Sequence, residues 1–294
     1  MIIPVHNEAI ILENNTKAIL RYLKTILTSF EVLLIENGSQ DETGNIANIL
    51  NHENEFVRVL FIDHPCLGEA LKRGIKESIY DKIIYFPIDL SVSLNFIQES
   101  VVLLDTCDIV VGSKHLISKS DTRRIHRRLF SKSYHWLVRK ICRTIITDTT
   151  CVKAYKRKAI LPIIDEISSI SQIFETELLI EAERKGVKII EIPVNIIDNR
   201  KSRQAIRKKI QYKLRDLMTF ELSFIAFLIG IPVLILGFLI IIYLIYLKLK
   251  TGINGFQNPY SFLISILMVF TGIQFIFFGL LANMMIQIRK KSVK

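Results

Sequence analysis

Short apolar runs recur along the first part of the chain, at Ile2 to Val5, Val32 to Ile35, Val57 to Ile62, Ile83 to Ile88 and Ile109 to Val111. Their length and β-branching predict buried strands. Between them lie longer stretches with apolar residues at helical spacing, residues 7–27, 41–53 and 67–80. Strand alternating with helix predicts a parallel sheet joined by crossover helices.

After Glu221 the pattern changes. Residues 222–247 and 260–288 carry no charged side chain, and each exceeds the roughly 20 apolar residues that cross a bilayer. A core hairpin of a soluble protein would show a polar face on each helix, and neither run has one. The link, residues 248–259, is too short for a domain, so the two runs predict a transmembrane hairpin. Tyr243, Tyr246 and Tyr260 suit the aromatic belts at its ends.

Composition locates this hairpin in a cell. The 294 residues are 50% hydrophobic with a formal net charge of +11. Lys201, Arg203, Arg207, Lys208, Lys209, Lys213 and Arg215 precede the first span, and Arg289, Lys290, Lys291 and Lys294 follow the second, against only Lys248 and Lys250 in the link. Basic residues stay on the cytoplasmic side, so both ends are expected there and the link outside. Ile206, Ile210 and Leu214 add helical spacing to the basic stretch, and an interfacial helix is expected over residues 201–221. The start shows no leader pattern, and export of the main domain is not expected. Cys66, Cys107, Cys142 and Cys151 lack metal-ligand spacing and read as reduced thiols.

Ligands of such sheets bind at the carboxyl ends of the strands. The unusual polar residues fall there: His6, Asn7 and Glu8 after the first strand, Glu36 to Asp41 after the second, Asp89 and Ser91 after the fourth. Carboxylates and amides in one cleft suit a nucleotide with a divalent cation, with Asp89 as candidate ligand. A lone Asp after a strand is more often a helix cap or turn residue, so the weight rests on the ensemble. Residues 121–143 interleave Arg123, Arg124, His126, Arg127, Arg128, Lys132, Arg139, Lys140 and Arg143 with apolar and aromatic residues, a pattern for anionic partners. Beside a membrane hairpin, lipid phosphate or nucleotide diphosphate is expected rather than nucleic acid.

The series IPVHNEA, LLIENGSQDET, LGEALKRGI, IDLS, DIVVGSK, DTTCVKAYKR and FETELLIEAERKGVKIIEIPV resembles glycosyltransferase family 2, in its polyprenyl-phosphate branch that includes dolichyl-phosphate mannosyltransferases. The resemblance implies an α/β fold, a GT-A-type nucleotide-sugar-binding domain with a Rossmann-like mixed sheet and helices on both faces, followed by the two-helix C-terminal hairpin. It implies a cytoplasmic domain over residues 1–200, an interfacial helix over 201–221, spans at 222–247 and 260–288 around an extracytoplasmic loop at 248–259, and a basic tail at 289–294, all in a multi-pass cell-membrane protein.

By the same resemblance Pro4, His6, Asn7 and Glu8, with Glu36 and Asn37, contact the nucleotide. Asp89 and Ser91 hold a divalent metal, Mg2+ or Mn2+. Lys114, Arg128 and Arg200 hold the acceptor phosphate, so the catalytic set is Asp89, Arg128 and Arg200. Glu175, Glu177 and the Glu191 to Val194 strand are expected to be architectural. The implied activity is inverting transfer of a hexose such as mannose or glucose from a GDP- or UDP-sugar to a dolichyl or undecaprenyl phosphate, and a homo-oligomer is left open. Pro87 stands where the family's metal motif has its first acid, and Cys66, Leu67 and Gly68 replace a Gly-Lys-Gly turn. Those departures imply an alternative, a degenerate member that binds lipid phosphate or a partner without turnover. A processive polysaccharide synthase is disfavoured, because no Gln-x-x-Arg-Trp pattern is present.

Overall fold

The computed structural model describes residues 1–114, 116, 139, 144–167, 174–196, 222–251 and 259–292. They fall into two compact units, Met1–Asp216 and Leu217–Lys294. The expected interfacial helix over 201–221, which straddles that boundary, lies outside the described residues.

In chain order the first unit contains β1 (Ile2–Val5), α1 (Ala9–Ile26), β2 (Val32–Asn37), α2 (Thr43–Glu53), β3 (Val57–Ile62), α3 (Leu67–Glu77), β4 (Lys82–Tyr85), α4 (Asn95–Leu103), β5 (Ile109–Ser113), β6 (Lys153–Lys156), α5 (Arg157–Ile164), α6 (Phe174–Arg184) and β7 (Ile189–Pro193). The strands form one sheet of order β3-β2-β1-β4-β6-β5-β7. β1 pairs in parallel with both β2 and β4, and Val5 lies opposite Glu36. β6 runs antiparallel to both β4 and β5. The sheet is therefore mixed, as the resemblance implies and not all-parallel as the strand–helix alternation predicts. The Lys-Ala-Tyr-Lys sequence of β6 carries no apolar run to announce a strand.

Continuous apolar strands follow from burial of both sheet faces. Ile3, Val5, Val32, Leu34 and Ile84 pack on one face with Leu12, Ile19, Leu20 and Leu23 of α1. Ile2, Leu33, Ile35, Ile83 and Val111 pack on the other with Leu71 and Ile75 of α3, Ile160 of α5 and Leu178 of α6. Alternate residues of each strand thus enter different cores. The buried positions of α1, Leu12, Thr16, Ile19, Leu20 and Leu23, recur at the three- and four-residue intervals that put them on one helical stripe.

The second unit is a helical hairpin of α7 (Leu222–Thr251) and α8 (Pro259–Ser292). Each contains a 26-residue stretch long and apolar enough to cross a membrane, Ile225–Lys250 with mean hydropathy 3.1 and Tyr260–Met285 with 2.3. α7 continues past the apolar run that ends at Leu247 through a further turn. Small residues are buried along the hairpin, Ala226, Gly230 and Gly237 on the first helix and Ser265, Gly272 and Ala282 on the second. Gly230 lies against Phe275 and the Gly272 carbonyl, and Gly237 against Val269 and the Ser265 carbonyl. A Cβ on Gly272 would sit 2.7 Å from the Leu234 backbone nitrogen, so the backbones approach as closely as glycine allows. Large side chains such as Leu228, Leu239, Phe270 and Phe277 point outward and are exposed. Small residues inside and large apolar residues outside are the arrangement of helices packed within lipid.

Candidate functional site

β1 leaves the sheet between β2 and β4, the point at which strand order reverses, so the loops after these three strands open onto one crevice. Most of the sequence-predicted nucleotide residues meet there. His6 Nδ1 donates to the Asn37 carbonyl at 2.8 Å. Asn7 Nδ2 lies 3.2 Å from His6 Nε2, which as the unprotonated ring nitrogen accepts from it. The two contacts fix ring orientation and tautomer together.

Asn7 itself has φ +54°, a left-handed conformation that asparagine tolerates better than most residues. That geometry lets its Oδ1 accept the Gln40 amide at 2.8 Å while its own amide donates to Ser39 Oγ at 3.0 Å. The next two amides are held in the same way: Glu8 N donates to Thr43 Oγ1 at 2.7 Å and Ala9 N to Asp41 Oδ2 at 3.3 Å. Glu36, buried in β2, accepts the Ser39 amide at 2.6 Å, and Asn37 Oδ1 accepts the Cys66 amide at 2.7 Å. Pro4 lies within β1 opposite Ile35 and is half-buried.

Thr43 is not among the residues that sequence reasoning selects, and Ser39 and Asp41 enter only within the polar run after the second strand, although all three set the shape of the β1–α1 turn. The Ser-Gln-Asp-Glu-Thr series that leads into α2 reads locally as a helix cap and reveals nothing of partners 32 to 35 residues away in the chain. For the Asp41 carboxyl, burial alone pushes upward. Hydrogen bonds from the Thr43 hydroxyl and amide and from the Ala9 amide outweigh it and hold the carboxyl below its usual value.

On the other side of β1, Asp89 and Ser91 lie half-buried after β4. Asp89 Oδ1 accepts the Ser91 amide at 3.0 Å, and Leu90 between them has φ +51°. A left-handed leucine is strained, and such outliers concentrate at ligand-binding turns. Asn15 Nδ2 of α1 donates to the Ile88 carbonyl at 2.8 Å and ties this turn to the first helix. Asn7 and Leu90 are the positive-φ residues other than glycine among the described residues, and they follow two neighbouring strands.

A carboxylate and a hydroxyl two residues apart are oxygen donors suited to a hard cation that takes its remaining ligands from water and substrate phosphates. Asp89 and Ser91 fit such an ion. Pro87, with no donor atom in its side chain, contributes nothing to it.

The acceptor-side residues divide. Arg128 and Arg200 lie outside the described residues. Lys114, at the end of β5, is buried and its ammonium donates to the buried carboxylate of Asp148. Behind this pair, Glu191 of β7 accepts the Thr147 amide at 2.9 Å, the Thr147 hydroxyl at 2.8 Å and the Asp148 amide at 3.2 Å. Lys153 of β6, fully buried, pairs with Glu175 of α6 and donates to the Cys151 carbonyl at 2.6 Å. Burial raises the Tyr85 and Tyr155 phenols well above their usual range, with the Glu175 charge adding to it. Burial, helped by Asp148, also pushes the Cys151 thiol up to about 11. In this network Glu191 orients the loop bearing Asp148, and Glu175 neutralises the buried Lys153.

A family model described as glycosyl transferase family 2 matches residues 1–162. Glycosyltransferase AglD of Haloferax volcanii is 30% identical over 201 residues, a match covering 66% of this chain and 32% of that protein. The chain thus spans about a third of that relative's length. Undecaprenyl-phosphate 4-deoxy-4-formamido-L-arabinose transferase of Pectobacterium atrosepticum is 26% identical over 292 residues, covering 96% of this chain and 86% of that one. Among solved structures, glucosyl-3-phosphoglycerate synthase from Mycobacterium tuberculosis in complex with UDP superposes with a TM-score of 0.56 at 18% identity, over 76% of this chain and 78% of that one. The same enzyme with Mn2+, UDP-glucose and phosphoglyceric acid gives 0.54 at 16% identity, over the same shares of the two chains. At these identities the likeness speaks for the fold.

Proposed function

The chain belongs to glycosyl transferase family 2, and on that premise we propose that it moves a hexose from a UDP- or GDP-sugar to a polyprenyl phosphate, with inversion at the anomeric carbon. One observation carries the reading. His6 to Glu8, Glu36 to Asp41 and Asp89 to Ser91 converge at the carboxyl ends of β2, β1 and β4, in a chain that also carries a hairpin of membrane-spanning character. The name of the relative from Pectobacterium atrosepticum, which matches nearly the whole chain, supports undecaprenyl or a similar polyprenyl phosphate as acceptor.

A phosphate monoester is already anionic near neutral pH, so the acceptor needs no protein base. Its oxygen attacks the anomeric carbon and forms the new C–O bond, while the bond to the nucleotide diphosphate breaks and the diphosphate leaves with the electron pair. What the chain supplies is alignment. The wall of Glu36, Asn37 and the His6–Asn7 turn receives the nucleotide, and Arg128 and Arg200 meet the acceptor phosphate. Lys114 acts on the same side through its pair with Asp148. A divalent cation, Mg2+ or Mn2+, held by Asp89 and Ser91 would offset charge on the departing diphosphate. The glucosyl-3-phosphoglycerate synthase solved with Mn2+ and UDP-glucose, a protein of the same fold, supports this. The domain faces the cytoplasm, and both hairpin ends return to that side, as the basic residues around the spans favour.

The stereochemistry of the product tests this reading. An α-linked donor sugar is expected to yield a β-linked lipid phosphate sugar, read by NMR or anomer-specific glycosidase; an α-linked product overturns direct in-line transfer. Pro87 favours a second reading, a member that holds lipid phosphate without turnover. Lipid binding with no product from any donor would establish it.

A further inference from the structure

We propose that His64, Cys66 and Glu69 form a binding site for a borderline-soft divalent ion, zinc or a similar transition metal, in the loop after β3. The ligand atoms of the three side chains lie within 4.8 Å of one another, and His64 Nε2 is 3.1 Å from Glu69 Oε2. An imidazole, a thiol and a carboxylate are the donor types zinc takes, whereas Mg2+ and Mn2+ take oxygen donors. Cys66 forms no disulfide.

The loop is held in shape from beneath. Asn37 Oδ1 accepts the Cys66 amide at 2.7 Å. Gly38, at φ +65°, packs so closely on the loop that a Cβ there would stand 2.8 Å from the His64 carbonyl carbon and 2.9 Å from the Pro65 nitrogen. Backbone positions are thereby fixed, while the His64 side chain is 62% exposed and the Glu69 side chain 35% exposed, which leaves both room to turn toward a common ion. Cys66 stands at the N-cap position of α3 and Glu69 in its first turn. The helix's positive end thus faces two anionic ligands, which offset the charge of a dication there. Three protein donors leave a fourth position for water or an oxygen ligand.

This position is separate from Asp89. β3 and β4 have β2 and β1 between them, and three strand spacings amount to about 14 Å. The loop touches Asn37, so an ion bound here stiffens the wall that receives the nucleotide. The proposal does not depend on the sugar-transfer reading, because it is read by metal binding alone.

The test is a Co2+ titration of the full chain in detergent micelles. Wild type is expected to develop thiolate-to-cobalt charge-transfer absorption that saturates at one ion per chain, is displaced by Zn2+ and survives excess Mg2+. Cys66→Ser and His64→Ala are expected to lose the band and Glu69→Gln to weaken it. Cys151→Ser, whose thiol is buried elsewhere, is expected to keep it, and circular dichroism confirms that each variant is folded. No band in wild type, or an undiminished band in folded Cys66→Ser or His64→Ala, overturns the site.

Discussion

Glu191 accepts the backbone amide of Thr147 with both carboxylate oxygens, at 2.9 and 3.1 Å. A strand residue whose family counterpart reads as architectural therefore determines where the neighbouring Asp148, and through it Lys114, can stand. Replacing Glu191 by Ala leaves the amides of Thr147 and Asp148 without this acceptor. The expected loss is roughly 1–3 kcal/mol of domain stability, seen as a lower melting temperature of the full chain in detergent. Glu191→Gln, which keeps one acceptor oxygen, is expected to lose less.

Gly38 combines φ +65° with backbone contact to the His64 loop. Gly38→Ala therefore adds both conformational strain and a clash with atoms that cannot rotate away. The expected cost is roughly 1–3 kcal/mol, accompanied by weaker nucleotide binding, measured by calorimetry with UDP and GDP, since the displaced loop borders Asn37.

Asp41 gives the domain a specific acid sensitivity. Its carboxyl is depressed in the folded chain below its ordinary value of 3.8, so its contribution is fully present above that value and is lost as pH falls through the lower folded value. Wild type is expected to exceed Asp41→Asn in stability near neutral pH, and the difference is expected to close only below about pH 4. Chemical denaturation of both proteins between pH 3 and pH 7 measures it. A difference that grows as pH falls would contradict the assignment.

Thr16 is fully buried on the inner stripe of α1, and its hydroxyl finds no hydrogen-bond partner among the described residues. Thr16→Val keeps the shape and removes the unsatisfied hydroxyl. It is expected to stabilise the domain by about 1 kcal/mol, read as a raised melting temperature.

The sequence is legible where apolar residues run together without interruption. Val57–Ile62 appears in the structure with the bounds the apolar run predicts, and the two long uncharged runs become the hairpin helices. It is illegible where polar groups are buried in pairs. β6 hides because Lys153 looks like a surface residue until Glu175 of α6 is folded against it. The candidate site divides the same way. His6, Asn7, Glu36, Asn37 and Asp89 are visible as polar residues at strand ends. Ser39, Asp41 and Thr43, which hold the amides of residues 7, 8 and 9, become meaningful only once β1 and β2 are adjacent. Arg128, one of the basic run at 121–143, and Arg200, known only through the resemblance, lie outside the described residues.

The central claim is sugar transfer to a polyprenyl phosphate at a site organised around Asp89. Its most direct test follows labelled sugar from a panel of UDP and GDP donors into polyprenyl phosphate, in membranes carrying wild type or Asp89→Ala, with and without divalent metal. Lipid-linked product is predicted from wild type with metal, falling about a hundredfold or more in Asp89→Ala, the scale of losing several kcal/mol of charge stabilisation. Product formation that is indifferent to Asp89→Ala, or no product from any donor while polyprenyl phosphate still binds, would contradict the account.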